Sequence, residues 1–282
     1  MAVNMWLVDS IQVAGALALG MAVGWATLMT GRKWLWVTQF LILSGLAVFL
    51  GVMGRRPDWA AQFGLGPIVW DTQLYILQTF IFSTIFLYIV RNWPTRRSRP
   101  LIMVLGIVAL LQLGVLPSLG WIFSVNDWRD SKTLVTNDGV CIQTTTYSCG
   151  PAAAVSGLFA LGIEPSSESA LALAAKTNQF TGTQPVKLLD AIEYFHGTRD
   201  LVRGRILTPE SVDSIPGGSP CIALIRHSRF MNHYVCIMGI DDELVYLADP
   251  EQGARTMPRD AFNKIFQKII IQLIRFDRSD LV

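Results

Sequence analysis

The chain has 282 residues, of which 51% are hydrophobic and only 16% are charged, and its mean hydropathy is +0.41. A charged fraction so far below the roughly 25% of soluble domains excludes intrinsic disorder and argues against a wholly soluble protein. A net charge of +2 provides no basic field for nucleic acid. The charge is unevenly distributed, since residues 1–125 carry 8 Lys and Arg against 3 Asp and Glu, whereas residues 126–282 carry 15 against 18.

The first region, residues 1–125, contains four long apolar runs without charge. Each is long enough to cross a hydrocarbon core of about 30 Å as a helix. We predict a transmembrane region with spans at about residues 10–31, 34–54, 72–90 and 100–125. Pro117 is expected to kink the fourth span. No Asp, Glu, Lys, Arg or His lies inside a span, which argues against ion or proton transport.

Three details of this region bear on its packing. No Lys or Arg precedes the first apolar run, so it does not resemble a cleavable signal peptide. Gly20 and Gly24 form a GxxxG motif, for which we expect packing within the chain rather than dimerisation. The stretch Trp59–Trp70 is too short to span, and we interpret it as a loop or interfacial segment with both tryptophans at the headgroup level.

Positive charges in the loops predict the orientation. The first and third loops together carry Arg32, Lys33, Arg91, Arg96, Arg97 and Arg99. The second loop carries only Arg55 and Arg56. Because cytoplasmic loops are enriched in Lys and Arg, the first and third loops are expected inside the cell. The sequence thus predicts an integral protein of a bacterial cytoplasmic membrane, with both termini and everything after residue 125 outside the cytoplasm.

The second region, residues 126–282, has the pattern of an α+β domain. Helices come first and antiparallel strands follow, which is the order typical of that class. We predict helices at residues 150–161, 166–177, 183–195, briefly after 208, and 259–266. We predict strands at residues 221–226, 233–240, 244–248 and 269–276, with a short strand or turn after the Asp-Pro step.

Cys149 is the strongest candidate nucleophile. It begins a predicted helix in the segment CIQTTTYSCGPAAAV. The free N–H groups and positive dipole end of a helix N-terminus favour the thiolate, which is the reactive form. Gln143 precedes it closely, and its amide N–H together with the Cys149 backbone N–H would form an oxyanion hole.

A thiolate also needs an imidazole that can protonate a leaving amine. His233 begins the strand HYVCIMGI, and Asp249 ends the next strand in LVYLADP. Adjacent ends of antiparallel strands would let Asp249 fix the His233 tautomer. Asp241 and Asp242 are competing orienting residues, although Asp-Asp-Glu before a strand is more simply a hairpin turn.

The order Gln-(five residues)-Cys-Gly, then His-Tyr-Val, then Asp-Pro followed by Gly resembles the papain-like cysteine peptidases of the bacteriocin-processing family. Those domains commonly precede ABC exporters and cut leader peptides after a double glycine. The resemblance covers roughly residues 137–266 and is greatest to stand-alone members with a QTT-Y-CGPAA signature. It implies Cys149 as nucleophile, His233 as base, Asp249 as orienting residue and Gln143 as oxyanion donor, with no cofactor or metal.

The chain departs from that pattern in several places. Ser148 stands where exporter members usually carry an acidic residue. No GxxxxGK[ST] nucleotide-binding segment occurs in the sequence, so any transporter would be a separate partner. The four spans precede the peptidase-like region, and the loop charges place that region outside the cytoplasm, whereas exporter peptidases face inward. Double-glycine specificity therefore does not follow for this chain.

The remaining His and Cys residues favour structural interpretations. His227 lies in a polar turn and is expected to be solvated. His196 ends a helix, where a cation complements the dipole. Cys221 and Cys236 would face each other if their strands paired about residues 228–229, which would allow a cross-strand disulfide; two free thiols are the alternative. No metal-binding spacing such as CxxC or HExxH occurs.

The sequence thus predicts a membrane-anchored cysteine peptidase that acts on a peptide or protein substrate and contacts the lipid membrane. Two alternatives stay open. The same triad transfers an acyl group to an amine if water is excluded. A substrate-docking or sensory module with a residual triad is the alternative outside enzymes.

Overall fold

The computed structural model describes residues 2–71, 73–92, 97–129, 131–198, 202–228 and 231–276. Arg96, residue 72 of the third predicted span and residues 277–282 of the second region lie outside that description. The chain forms two compact units. The first unit comprises Met1–Arg55 and Thr72–Ile122, and the second comprises Arg56–Asp71 and Phe123–Val282.

Helices account for the N-terminal half of the chain. They are α1 (Ala2–Met29), α2 (Lys33–Arg55), α3 (Pro57–Gln62), α4 (Gly66–Val69), α5 (Gln73–Asn92), α6 (Arg99–Leu110) and α7 (Leu116–Arg129). Four helical stretches are long and apolar enough to cross a membrane: Val8–Met29, Trp34–Gly54, Gln73–Asn92 and Arg99–Arg129. They match the four predicted spans, and their exposed side chains include many large apolar ones, as expected of helices that face lipid.

Small residues bring α1 and α5 together in the first unit. A Cβ at Gly20 would overlap Ser83 Oγ, and Gly24 lies against Leu87. The close approach lets Thr84 Oγ1 donate a 3.0 Å hydrogen bond to the Gly20 carbonyl. The GxxxG motif thus serves packing within the chain, as the sequence suggested.

The fourth span changes its helical geometry in the middle. Residues Leu111–Val115 form a π-helical turn between α6 and α7, directly before Leu116 and Pro117. Proline cannot donate to the preceding turn, and a π-helical turn is one way for a helix to absorb that irregularity. A Cβ at Gly114 within this turn would meet Thr79 of α5, so the turn also lies at a close helix contact.

The second unit is built on a six-stranded antiparallel sheet in the order β3-β8-β4-β5-β6-β7. A small hairpin of β1 (Leu134–Val135) and β2 (Cys141–Ile142) precedes it. The helices are α8 (Cys149–Ala160), α9 (Glu168–Ala174), α10 (Pro185–His196) and α11 (Arg259–Ile265). The sheet strands are β3 (Val202–Leu207), β4 (Cys221–Arg226), β5 (Asn232–Ile240), β6 (Leu244–Asp249), β7 (Gly253–Pro258) and β8 (Phe266–Arg275). These elements confirm the α+β class.

One local prediction was wrong, and one strand was not predicted. The brief helix expected after residue 208 is absent from the described chain there, where the regular structure is a 3₁₀ turn at Val212–Ser214. Strand β3, which the sequence analysis missed, precedes it and pairs with β8. In β3 the arginines Arg203 and Arg205 alternate with Val202, Gly204 and Ile206, so the strand carries a period-2 pattern that charge concealed.

The strand register separates Cys221 from Cys236. Cys221 lies opposite Ile237, and Cys236 lies opposite Ile222. Because neighbouring residues of a strand point to opposite faces, this one-residue offset puts the two thiols on different faces of the sheet. Both are free, which rules out the cross-strand disulfide in this structure.

The segment Arg56–Asp71 packs within the second unit. Helix α3 contacts β8, and the Trp70 carbonyl accepts a 3.3 Å hydrogen bond from Val186 N–H. Asp71 forms a 3.2 Å ion pair with Lys187 of α10. Trp70 is only 9% exposed, so the prediction that it lies at the headgroup level was wrong. Its ring is buried within the second unit instead.

Candidate active site

Cys149 is the first residue of α8, and its side chain is half-buried. The first turns contain Pro151 and a run of fully buried alanines. Proline favours the start of a helix, and small side chains let the helix approach the sheet closely. At Gly157 a Cβ would lie 2.9 Å from Leu273 Cδ1 of β8. The helix therefore holds the thiol rigidly at its N-terminus, where free backbone N–H groups collect.

His233 and Asp249 lie together at the ends of two neighbouring strands. His233 is near the start of β5 and Asp249 is the last residue of β6; they are 4% and 0% exposed. His233 Nε2 lies 2.8 Å from Asp249 Oδ1. Because that nitrogen is bonded to the carboxylate, Nδ1 is the ring nitrogen that remains for Cys149.

The charges around His233 favour its protonated form. Burial alone would lower its pKa, but hydrogen bonds to Asp249 and Cys149 and the negative charges of both raise the pKa from 6.5 to about 9. Because Cys149 contributes to this raised pKa, its sulfur lies near the imidazole. At neutral pH this geometry favours an imidazolium beside the sulfur.

Asp249 is itself held by contacts with Glu251 and Arg255. Its Oδ1 also accepts from Glu251 N–H at 2.9 Å, and its Oδ2 lies 2.8 Å from Arg255 Nη2. Burial alone would raise the Asp249 pKa, but these bonds and the charges of His233 and Arg255 lower it below its usual value. The carboxylate therefore stays ionised while it orients the imidazole.

Gln143 lies at the same corner of the fold. Its backbone N–H donates to the Pro250 carbonyl at 3.0 Å. Its Nε2 makes only a 3.5 Å contact with Glu251 Oε1, and its buried Oε1 has no hydrogen-bond partner among the described residues. The structure thus brings the candidate oxyanion donor to the corner that carries Asp249, without a strong bond that fixes its amide.

A buried glutamate that the sequence analysis missed supports the loop before Cys149. Glu168 is fully buried and accepts a 3.0 Å hydrogen bond from Thr144 N–H. Burial raises its pKa, and hydrogen bonds from Ser148 and Thr144 partly offset that rise. Ser148 occupies the position where exporter members carry an acid, and here the carboxylate beside it comes from α9.

His227, at the edge of the site, lies closer to His233 than its sequence context indicated. His227 is partly exposed, as predicted for a polar turn, but its ring lies 5.6 Å from that of His233. Its Nδ1 is 3.7 Å from Glu251 Oε2. His227 thus borders the candidate site, which the turn composition did not reveal.

The other candidates lie in structural roles. His196 is fully buried, and its Nε2 accepts the Ser166 N–H at 3.2 Å, in keeping with the structural role expected of it. Asp241 accepts bonds from Leu244 N–H and the Tyr246 hydroxyl, which is the hairpin turn that the sequence suggested. Within the described residues no group of His, Cys, Asp and Glu could hold a metal ion.

Comparisons with known proteins bear on the second unit. The Peptidase C39 family matches residues 139–276. An uncharacterized protein of Methanothermobacter marburgensis is 34% identical over 137 residues, which cover 49% of this chain and 89% of that protein. A counterpart in Methanothermobacter thermautotrophicus is 32% identical over 135 residues, covering 48% and 87%.

Two solved structures resemble the same region. One is a double-glycine-motif protease from an AMS/PCAT transporter bound to its leader peptide, with 18% identity, a TM-score of 0.42, and coverage of 51% of this chain and 93% of that chain. The other is the peptidase domain of Streptococcus ComA, a bifunctional ABC transporter, with 21% identity, a TM-score of 0.43, and coverage of 52% and 100%.

The residues that match the family include the Cys149 loop, the His233 strand and the Asp-Pro corner. Residues 139–276 place this chain in the Peptidase C39 family of cysteine peptidases.

Proposed function

We propose that the chain is a membrane-anchored peptidase in which Cys149 is the nucleophile, His233 the general base and acid, Asp249 the orienting carboxylate and Gln143 an oxyanion donor. The observation that carries the proposal is the 2.8 Å contact of His233 Nε2 with the buried Asp249. Cys149, at the start of α8, is close enough to this imidazole to contribute to its raised pKa.

The proposed reaction begins with a Cys149 thiolate beside a protonated His233. Sulfur attacks the peptide carbonyl, and the C–O π electrons move to oxygen. The Cys149 backbone N–H and Gln143 Nε2 donate hydrogen bonds to that oxyanion. For Gln143, this bond replaces its weak contact with Glu251. Collapse breaks the C–N bond, and His233 gives its proton to the amine. Water then attacks the thioester while His233 takes up its proton, and collapse of this second tetrahedral intermediate breaks the C–S bond, which releases the acid and restores the Cys149 thiolate.

Membrane attachment is the second part of the proposal. The segment Arg56–Asp71 lies between the second and third apolar helices, yet it packs with the residues that follow the fourth. The third and fourth helices lie between these two parts of the chain. If both helices cross the membrane, the two parts emerge on the same side, so their packing supports these two spans. The loop charges favour the extracytoplasmic side. A C-terminal reporter that is active only in the cytoplasm should stay inactive.

The substrate is proposed to be a peptide or an extended protein segment. A separate transporter is a candidate partner, since the known structures that resemble this region belong to transporters. Recovery of a transporter with the full-length protein from detergent-solubilised membranes would test this.

Purified full-length protein and Cys149→Ala, both incubated with a peptide mixture and analysed by mass spectrometry, test the chemistry. We expect cleavage that disappears in the variant. Cys221→Ala is the matched control, because burial raises the pKa of that thiol to about 11 and keeps it unreactive. Full activity of Cys149→Ala would refute the proposed nucleophile. Amide products in the presence of an added amine would indicate acyl transfer.

A further inference from the structure

Glu251 is a carboxylate at the edge of the site that the proposed reaction does not use. It follows the Asp-Pro corner directly, and its backbone N–H is fixed by the 2.9 Å bond to Asp249. Its side chain is 34% exposed. The two side-chain contacts, 3.5 Å to Gln143 Nε2 and 3.7 Å to His227 Nδ1, are both at or beyond the limit of a hydrogen bond. The carboxylate is thus fixed in position but weakly held at its oxygens.

The proposed reaction would put the leaving-group side of the cleaved bond near Glu251. His233 must stand beside the leaving amine in order to protonate it. His227 is next to His233, with ring centroids 5.6 Å apart, and Glu251 reaches both His227 and Gln143. The residue that follows the cleaved bond is attached to the leaving nitrogen, so its side chain leaves the reacting centre on this side.

The charge of Glu251 opposes the reaction unless it is neutralised. A negative charge within 3.5 Å of the amide that would hold the oxyanion raises the energy of the developing negative oxygen. A cationic substrate side chain next to Glu251 would remove that penalty. The relief exists only when the oxyanion forms, and for this reason it acts mainly on kcat and less on KM.

We propose that Glu251 makes this peptidase prefer Lys or Arg directly after the cleaved bond. The inference rests on the proposed function, because it assumes that Cys149 and His233 cleave peptides. It names a specificity residue and a substrate class: peptides with a basic residue at the first position of the released fragment. Glu251 touches that residue and takes no part in proton transfer.

The test uses the full-length protein and peptide pairs based on a sequence that it cleaves. The two peptides of a pair differ only in Lys or Gln after the cleaved bond. We expect about a tenfold higher kcat/KM for the Lys peptide, carried mostly by kcat, which is the range of a partly exposed ion pair close to the reaction. In Glu251→Gln the ratio should fall near one, with the Gln peptide cleaved at least as fast as by wild type. Glu251→Lys should reverse the preference toward Glu at that position.

Glu243→Gln is the matched control, since it removes the same charge from the exposed turn between β5 and β6. It should keep the wild-type ratio. Equal cleavage of both peptides by wild type, or a preference that survives Glu251→Gln, would overturn this inference and leave the proposed function intact. Loss of both activities in Glu251→Gln would also overturn it, because the carboxylate would then serve the reaction itself. Absence of any Cys149-dependent cleavage would overturn both proposals.

Discussion

The two units of this protein use buried polar residues in opposite ways. In the helical unit, Thr79, Ser83 and Thr84 are buried while apolar side chains such as Leu41 and Val48 are exposed. In the peptidase unit the sheet buries apolar side chains such as Ile222 and Val235, and the buried polar residues include His233 and Asp249. Helices that face lipid place their polar side chains between one another, where these side chains form hydrogen bonds. In a fold surrounded by water, a buried polar group has lost its bonds to solvent and needs a specific protein partner, so such a group marks a specialised site.

The sharpest test of this comparison replaces one buried polar side chain in each unit and compares the loss of activity. His233→Gln should lower kcat/KM by at least about a thousandfold, because it removes the proposed proton donor. Thr84→Val should change activity less than about twofold, since its hydroxyl bonds only the helix carbonyls of Gly20 and Phe80. Steady-state peptide hydrolysis by the full-length variants measures both. A comparable loss in the two variants would contradict the division of roles.

Arg255 tests how far the specialised site extends. Arg255→Met removes the ion pair to Asp249 Oδ2, and we expect kcat/KM to fall roughly 10- to 100-fold, as for a partner that orients a catalytic group. Without the cation the Asp249 pKa rises, so the acidic limb of the pH profile should move to higher pH.

Arg255→Lys should recover part of the activity and return the acidic limb toward wild type. A lower rate with an unchanged pH profile in Arg255→Met would instead indicate a purely structural role for this arginine.

Glycine contacts provide the next comparison. Gly20→Val should destabilise the helical unit by about 1–3 kcal/mol, because the side chain would overlap Ser83. Gly15→Val is the matched control in the same helix, since nothing lies within 4 Å of a Cβ there. Thermal unfolding in detergent should separate the two variants by several degrees. Equal stability would show that α1 and α5 are not packed through Gly20.

The smallest expected effect is on the pH profile of activity, to which His233 and its neighbour His227 should contribute differently. Activity should fall as the pH rises through about 9, where the proposed His233 imidazolium loses its proton. Protonated His233 also stabilises the fold fully below pH 6.5, and this contribution is lost as the pH rises through 9. His227→Gln should leave the basic limb within about one pH unit of wild type. A basic limb near 6.5 in wild type would contradict the pairing of His233 with Asp249.

Local patterns predicted much of this architecture from the sequence. Strand β4 begins and ends where its apolar run and flanking turn place it, and Pro151 marks the first turn of the helix that Cys149 begins. The spacing of apolar residues that indicates a helix or a strand can be read from a few consecutive residues, without knowledge of the rest of the chain. The order of Gln143, Cys149, His233 and Asp249 resembles that of a known peptidase family, and this resemblance supplied the expected role of each residue.

The missed features depend on contacts between distant parts of the chain. Nothing around Glu168 or Arg255 indicates that one will lie beneath the Cys149 loop and the other against Asp249. The offset that separates Cys221 from Cys236 is a single residue of strand register, which composition does not specify. Long-range pairing of this kind emerges only when the sheet is assembled.

The packing of Arg56–Asp71 within the peptidase unit has a consequence for biogenesis. This segment is synthesised before the third and fourth apolar helices, whereas Val186 and Lys187, its partners, are synthesised after them. The peptidase unit can be completed only when both intervening helices have emerged and the two distant parts of the chain have met. A fragment that starts at residue 126 would lack part of its own fold. Under the proposed membrane attachment, a chain inserted with an odd number of crossings between these two parts would leave the peptidase unit unassembled.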